Sequence, residues 1–65
     1  MDEFELLARL GVAVVEVEGM THPVCYVSTQ NVGLLRAGLD AERRLAAGAL
    51  LLDLALRQFA AHQGP

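Results

Sequence analysis

The sequence predicts a small α+β domain in the order helix, strand, strand, helix, with an antiparallel hairpin packed on a long C-terminal helix. Three features lead to this fold class: a short amphipathic N-terminal segment, two valine-rich runs around a Gly- and Pro-containing turn, and a long Ala/Leu-rich segment. The chain has 65 residues, which is the length of one domain. We therefore predict a single domain over residues 1–65.

The first nine residues after Met1 read DEFELLARL and predict a helix over residues 2–10. Asp2 is a favourable N-cap, acidic residues follow in the first turn, and Arg9 lies in the last turn. This order of charges complements the helix dipole. Gly11 follows as a residue that ends a helix in a left-handed conformation.

The segment Val12–Glu18 is rich in valine and ends in an alternating pattern, so it predicts a strand with one buried face. We expect the apolar members of the alternation to point inward and the two acids to meet solvent. The expected inward residues are Ala13, Val15 and Val17, and the outward ones are Glu16 and Glu18.

The segment Val24–Thr29 predicts a second strand because it is rich in β-branched and aromatic residues. The short connection Gly19–Pro23 favours an antiparallel hairpin between the two strands. The following stretch is ambiguous. Asn31 and Gly33 indicate a turn, and the apolar residues beside them fit either a third short strand or a 3₁₀ turn that covers the core.

The last helix is predicted to begin after Asp40, a good N-cap, and to run from Ala41 to about Ala61. At 100° per residue, most of its large apolar side chains fall on one broad arc. We expect this arc to face the core. Its members are Leu45, Gly48, Ala49, Leu52, Ala55, Leu56 and Phe59.

A second apolar set lies on the other side of this helix, with arginine and glutamine at its rim. An apolar patch with a polar rim is typical of an interface, and a helix that is apolar all round is buried. We therefore expect the helix to pair with a second copy in a dimer or tetramer, and the alternative is that the first helix and the Leu34–Leu35 segment cover the set. The predicted interface residues are Ala47, Leu50, Leu51, Leu54 and Gln58.

The composition restricts the class of protein. Hydrophobic residues make up 54% of the chain and the net charge is −3, which is unlike the basic surface of a nucleic-acid-binding protein. The single cysteine and the acidic N-terminus predict a cytoplasmic protein without a signal peptide. The longest uncharged run of the last helix is too short to span a membrane.

The residues that could carry chemistry are few and scattered. His22, His62 and Cys25 are predicted to have structural roles, because no set of ligands or basic neighbours accompanies them. Glu16 and Glu18 could form a carboxylate pair, although a solvated strand face is the simpler interpretation. We expect no catalytic, metal-binding or cofactor-binding residues. The residues assigned to a possible ligand or partner surface are Glu16, Glu18, His22 and Tyr26.

The phrases LLARLGVAVVEVEG and CYVSTQNVGLLRAGLDAERRLAAGALLLDLAL make the chain resemble the N-terminal half of ImmA/IrrE-type zinc metallopeptidases over Leu6–Leu56. The resemblance implies that the HExxH motif of that family would fall on Ala49–Asp53. Neither zinc-binding histidine nor the catalytic glutamate is present there, since position 49 is Ala and position 50 is Leu. The resemblance therefore implies a relative without zinc chemistry.

We therefore expect a non-enzymatic, cytoplasmic, homo-oligomeric protein that binds another macromolecule, for example as a small regulator or inhibitor. One alternative is an enzyme or metal protein whose site forms between subunits from residues such as His22, Glu16, Glu18 and Cys25. Another is a small-ligand module with a pocket between the hairpin and the long helix, lined by Tyr26 and Cys25.

Overall fold

A computed structural model describes residues 2–63 of the chain, with the backbone alone described for residues 62 and 63. It confirms a small α+β fold in which two helices cover one face of a three-stranded sheet. The elements are α1 (Glu3–Arg9), β1 (Ala13–Val17), β2 (Val24–Val27), β3 (Val32–Arg36) and α2 (Ala41–Gln63).

Helix α1 has the predicted caps. The side chain of Asp2 accepts a hydrogen bond from the amide of Glu5 at 2.8 Å, and Gly11 has a φ of +81° directly after the C-cap residue Leu10. The amide of Val12 donates to the carbonyl of Leu7 at 2.9 Å. This bond places Val12, which is buried, against the helices and so sets which residues of β1 point inward.

The sheet has the strand order β1-β3-β2, with β3 parallel to β1 and antiparallel to β2. The predicted hairpin between the first two strands is therefore wrong, and the ambiguous third segment is the central strand. The tight turn lies instead between β2 and β3, where Asn31 has a φ of +55°. A left-handed residue of this kind is what a tight hairpin turn requires, whereas the β1–β2 connection ends in Pro23 and joins strands that do not pair.

The inward face of β1 is the opposite of the one predicted. Val14 packs against the core, while Val15 is 47% exposed. Because side chains alternate along a strand, Ala13 and Val17 share the outer face with Val15. Glu16 shares the inner face with Val14 and forms an ion pair with Arg44 of α2.

The core lies between the helices and the sheet and is built around Leu7, Val12, Leu51 and Ala55. Gly33 of β3 faces Leu51, and a Cβ atom at Gly33 would lie 3.1 Å from a methyl group of that leucine. The missing side chain gives the large leucine room above the central strand. This packing turns α2 so that Leu51, rather than Leu52, is fully buried on the sheet side.

Two predictions about α2 are corrected by this rotation. Ala47 and Leu51, expected on the outer interface, are buried at 2% and 0% exposure. Leu45, Ala49 and Leu56, expected in the core, are exposed. The N-cap prediction is confirmed, since the amide of Arg43 donates to the carboxylate of Asp40 at 2.8 Å.

Candidate interaction surface

The sheet face turned away from the helices is apolar across all three strands. The cross-strand register places Val15 beside Leu34 and Leu34 beside Cys25, and the row at one end joins Ala13, Val32 and Val27. These residues alternate with inward-facing Val14, Gly33 and Tyr26, so they lie on the outer side. We call this surface the open face. It consists of Ala13, Val15, Val17, Cys25, Val27, Val32 and Leu34, and at one end Arg36 lies beside Val17.

No helix or strand among the described residues packs over the open face. Ala13, Val15 and Cys25 are exposed, and its other members are half-buried by their own neighbours in the sheet. Among the described residues, its charged member is Arg36, which lies at one end beside Val17. A sheet with one solvated face normally alternates apolar and polar residues, whereas strands that are buried on both faces are continuously apolar. Apart from Glu16 and Arg36, the three strands here follow the second pattern.

The open face was not predicted as a surface, although the sequence contains its signal. The stretches VAVV, VCYV and VGLL overlap the three strands. They contain no charged residue at either the inward or the outward positions. Such runs are typical of strands that are covered on both sides. The alternating stretch Val15–Glu18 pointed to the wrong face because Glu16 lies on the helix side of the sheet, where it forms an ion pair with Arg44 of α2.

The interface predicted on α2 is split by the fold. Leu50 is 50% exposed and Leu54 is 38% exposed, and Gln58 is also exposed. Ala47 and Leu51, the other two members, face the protein's own core. The remaining exposed leucines form a short ridge one helical turn long, rather than a continuous interface.

The predicted ligand or partner surface does not form a single patch either. Glu16 is paired with Arg44, whose guanidinium carbon lies 5.0 Å from the centre of the Phe4 ring. Tyr26 packs against the core and donates its hydroxyl hydrogen bond to Asn31 Oδ1. Glu18 and His22 are exposed in the connection between β1 and β2.

The residues proposed for a pooled catalytic or metal site are dispersed within one protomer. Glu16 lies on the inner face of β1, and Cys25 lies on the outer face of β2 at the other edge of the sheet. No group of three or more His, Cys, Asp or Glu side chains that could hold a metal occurs among the residues that the structure describes. The side chain of His62 lies outside the described residues.

The pocket predicted beside Tyr26 and Cys25 has a different position. One open cavity of about 320 Å³ lies between the end of the sheet and the first turns of α2, and another of about 540 Å³ lies beside Leu10, Leu56 and Phe59. Neither Tyr26 nor Cys25 lines either of them. Within the described part of the chain, no helix has the length and apolarity needed to cross a membrane.

No protein-family model, curated protein or solved structure matches the chain. The resemblance to ImmA/IrrE-type metallopeptidases therefore stays a prediction from the sequence. The geometry of the open face and of the two cavities is what bears on function.

Proposed function

We propose that the protein is a non-enzymatic interaction module that assembles with a second copy of itself through the open face of the sheet. The observation that supports this proposal is that the open face is apolar except at Arg36 at one end and is not covered by the described chain. The regulatory role and the cytoplasmic location stay predictions from the sequence.

A second copy is the partner that the open face fits best. A surface whose charged residue lies at its edge, as Arg36 does here, can pair with itself about a two-fold axis while that charge stays hydrated at the rim. Two twisted sheets packed face to face then form a sandwich whose layers are about 10 Å apart. A chain of 65 residues also has a small core, and oligomerisation is one of the usual ways to stabilise such domains.

The size of the open face sets the expected affinity. Three strands of up to five residues cover roughly 15 Å by 17 Å at the usual strand spacing and rise. A standard interface buries about 800 Å² on each partner, so the open face is a small one. We therefore expect a dimer that dissociates on dilution through the micromolar range.

The test is the mass in solution across a dilution series, measured by light scattering after size exclusion. Val15→Glu puts a charge in the middle row of the open face, beside Leu34 of the central strand, at a position exposed enough to accept it in the monomer. We expect this change to raise the dimer dissociation constant at least about tenfold, because the charge must lose its water in the dimer. Thr29→Glu adds the same charge in the exposed β2–β3 turn and should leave the dimer unchanged.

The double variant Leu50→Glu/Leu54→Glu separates the sheet interface from the helix interface. If the open face is the interface, the double variant still forms dimers and Val15→Glu does not. If the double variant is monomeric and Val15→Glu is dimeric, α2 is the interface and the proposal is wrong. A wild-type protein that is monomeric at every concentration also contradicts it.

A further inference from the structure

A second surface with specific chemistry lies between the end of the sheet and the start of α2. There, an open pocket of about 320 Å³ is walled by Pro23, Leu39, Ala46 and Leu50. Small-molecule sites have volumes of about 300–1,000 Å³ and are mostly apolar with a few polar groups. The pocket meets the open face at Arg36, the last residue of β3, and its other lining residues lie in α2 and in the segments that flank β2 and β3.

The polar groups of this pocket are two arginines. Arg36 comes from the last position of β3 and Arg43 from the first turn of α2. Two of the protein's five basic residues therefore line one pocket in a chain whose net charge is −3. By contrast, Arg44 pairs with Glu16 and Arg57 pairs with Asp53, both outside the pocket.

The two pocket arginines have hydrogen-bonding capacity to spare. Arg36 Nη1 is 3.5 Å from the carbonyl oxygen of Thr21, and Arg43 Nε is 3.9 Å from Asp40 Oδ2. Both contacts are long, and the other oxygen of Asp40 is engaged with the helix amide of Arg43. Each guanidinium has five N–H donors, so most of them are left for a ligand.

The apolar side chains that line the pocket suit a ligand with a short hydrocarbon chain. Leu50 is 50% exposed at this position, and it lies with Leu39 and Pro23 around the same cavity. A ligand that covers these side chains removes apolar surface from water. Arginine binds a carboxylate through two parallel hydrogen bonds, which an alcohol or an amine cannot replace.

We propose that this pocket binds a small carboxylate that carries a short apolar chain, with the carboxylate between Arg36 and Arg43 and the chain against Leu50. The proposal does not depend on self-association through the open face, because all the residues of the pocket come from one copy of the chain and the pocket meets the open face only at Arg36.

The test uses octanoate as the probe, titrated below its micelle concentration into the full-length protein labelled with ¹⁵N. We expect saturable shifts of the backbone amide signals of Leu39, Ala46 and Leu50. Octylamine and octanol have the same chain without the carboxylate, and acetate has the carboxylate without the chain. All three should bind at least about tenfold more weakly, since a hydrogen bond to a charged group and a buried chain each contribute more than 1.4 kcal/mol.

Variants locate the site. Arg36→Gln and Arg43→Gln should each weaken octanoate binding about tenfold through the loss of a charge-assisted bond. Arg57→Gln, which removes an arginine on the same helix outside the pocket, is the matched control and should bind octanoate like the wild type. If Arg36→Gln disturbs the fold, Arg43→Gln still tests the site. The side chain of Arg43 lies at the protein surface, so its replacement should leave the fold intact.

Three results would overturn the proposal. One is equal binding of octanol and octanoate, which would indicate apolar adsorption. Another is a set of shifts at Val15 and Leu34 in place of the pocket residues, which would place the ligand on the open face. The third is the absence of any saturable shift. Each of these is independent of the dimer measurement, so a failure here leaves the proposed function standing.

Discussion

Asn31 joins three parts of the fold through one side chain. It has a left-handed backbone conformation with a φ of +55° at the end of the β2–β3 turn. Its Oδ1 accepts the hydroxyl hydrogen bond of Tyr26, and its Nδ2 donates to the carbonyl oxygen of Gly11 at 2.9 Å. The residue therefore fixes the turn and also connects it to the end of α1.

Asn31→Ala should lower the free energy of unfolding by about 2–3 kcal/mol, from two lost hydrogen bonds and the cost of a left-handed alanine. Asn31→Gly loses the same bonds but tolerates the positive φ, so we expect it to cost about 1 kcal/mol less. Urea denaturation of both variants measures the difference. Equal losses in the two variants would contradict the assigned role of the backbone conformation.

The two helices approach each other closely at Gly48 of α2. A Cβ atom at Gly48 would lie 2.9 Å from two ring atoms of Phe4, and the same ring has the guanidinium of Arg44 above it. Alanine is a better helix former than glycine by about 1 kcal/mol. Helix propensity therefore favours alanine at position 48, whereas the packing against Phe4 favours glycine.

We expect the packing to prevail, so that Gly48→Ala destabilises the protein by about 1–2 kcal/mol in spite of the helix propensity. The comparison is made in a Phe4→Leu background, where the side chain at position 4 has no ring and Gly48→Ala should be neutral or stabilising. Thermal and urea unfolding are measured for the wild type, Gly48→Ala, Phe4→Leu and the double variant. The differences in their free energies of unfolding give the coupling between positions 4 and 48. A stabilising Gly48→Ala in the presence of Phe4 would show that α1 does not rest on α2 at this point.

At the scale of the whole molecule, the protein consists of a layer of helices and a layer of sheet, and the described residues leave the outer side of the sheet uncovered. The helices cover the inner face of the sheet, and the open face has no layer of its own. Stable domains consist of packed layers that bury the apolar faces of both partners. A second copy supplies the missing layer in the proposed dimer.

The proposed dimer should be only weakly sensitive to salt, because the open face is apolar except at Arg36 at one end. We expect the dissociation constant to change less than about twofold between low and high salt, over which the screening length falls from about 30 Å to about 3 Å. Sedimentation equilibrium in both solutions measures it. A dimer that weakens strongly with salt would indicate an interface built on the charged residues of the helices.

The candidate surfaces could be predicted from the sequence only in part. The exposed Leu50 and Leu54 lie on the side of α2 that the helical wheel assigned to an interface, whereas Ala47 and Leu51 of the same set belong to the core. Each residue turns the helix by about 100°, so an error of one residue in the predicted orientation of α2 exchanges core and surface positions. The pocket arginines are adjacent only in space, since Arg36 and Arg43 come from different elements.

The sequence by itself determined the α+β class, the caps of both helices and the glycine that ends α1, because these depend on neighbouring residues and on local backbone preferences. Only the tertiary structure decided the strand order, the inward face of β1 and the rotation of α2. Each of these involves a contact between residues far apart in the sequence: Asn31 with Gly11, Glu16 with Arg44, and Leu51 above Gly33. The physical reason is that a continuously apolar strand satisfies either face equally well on its own, so the choice is made by the element that packs against it.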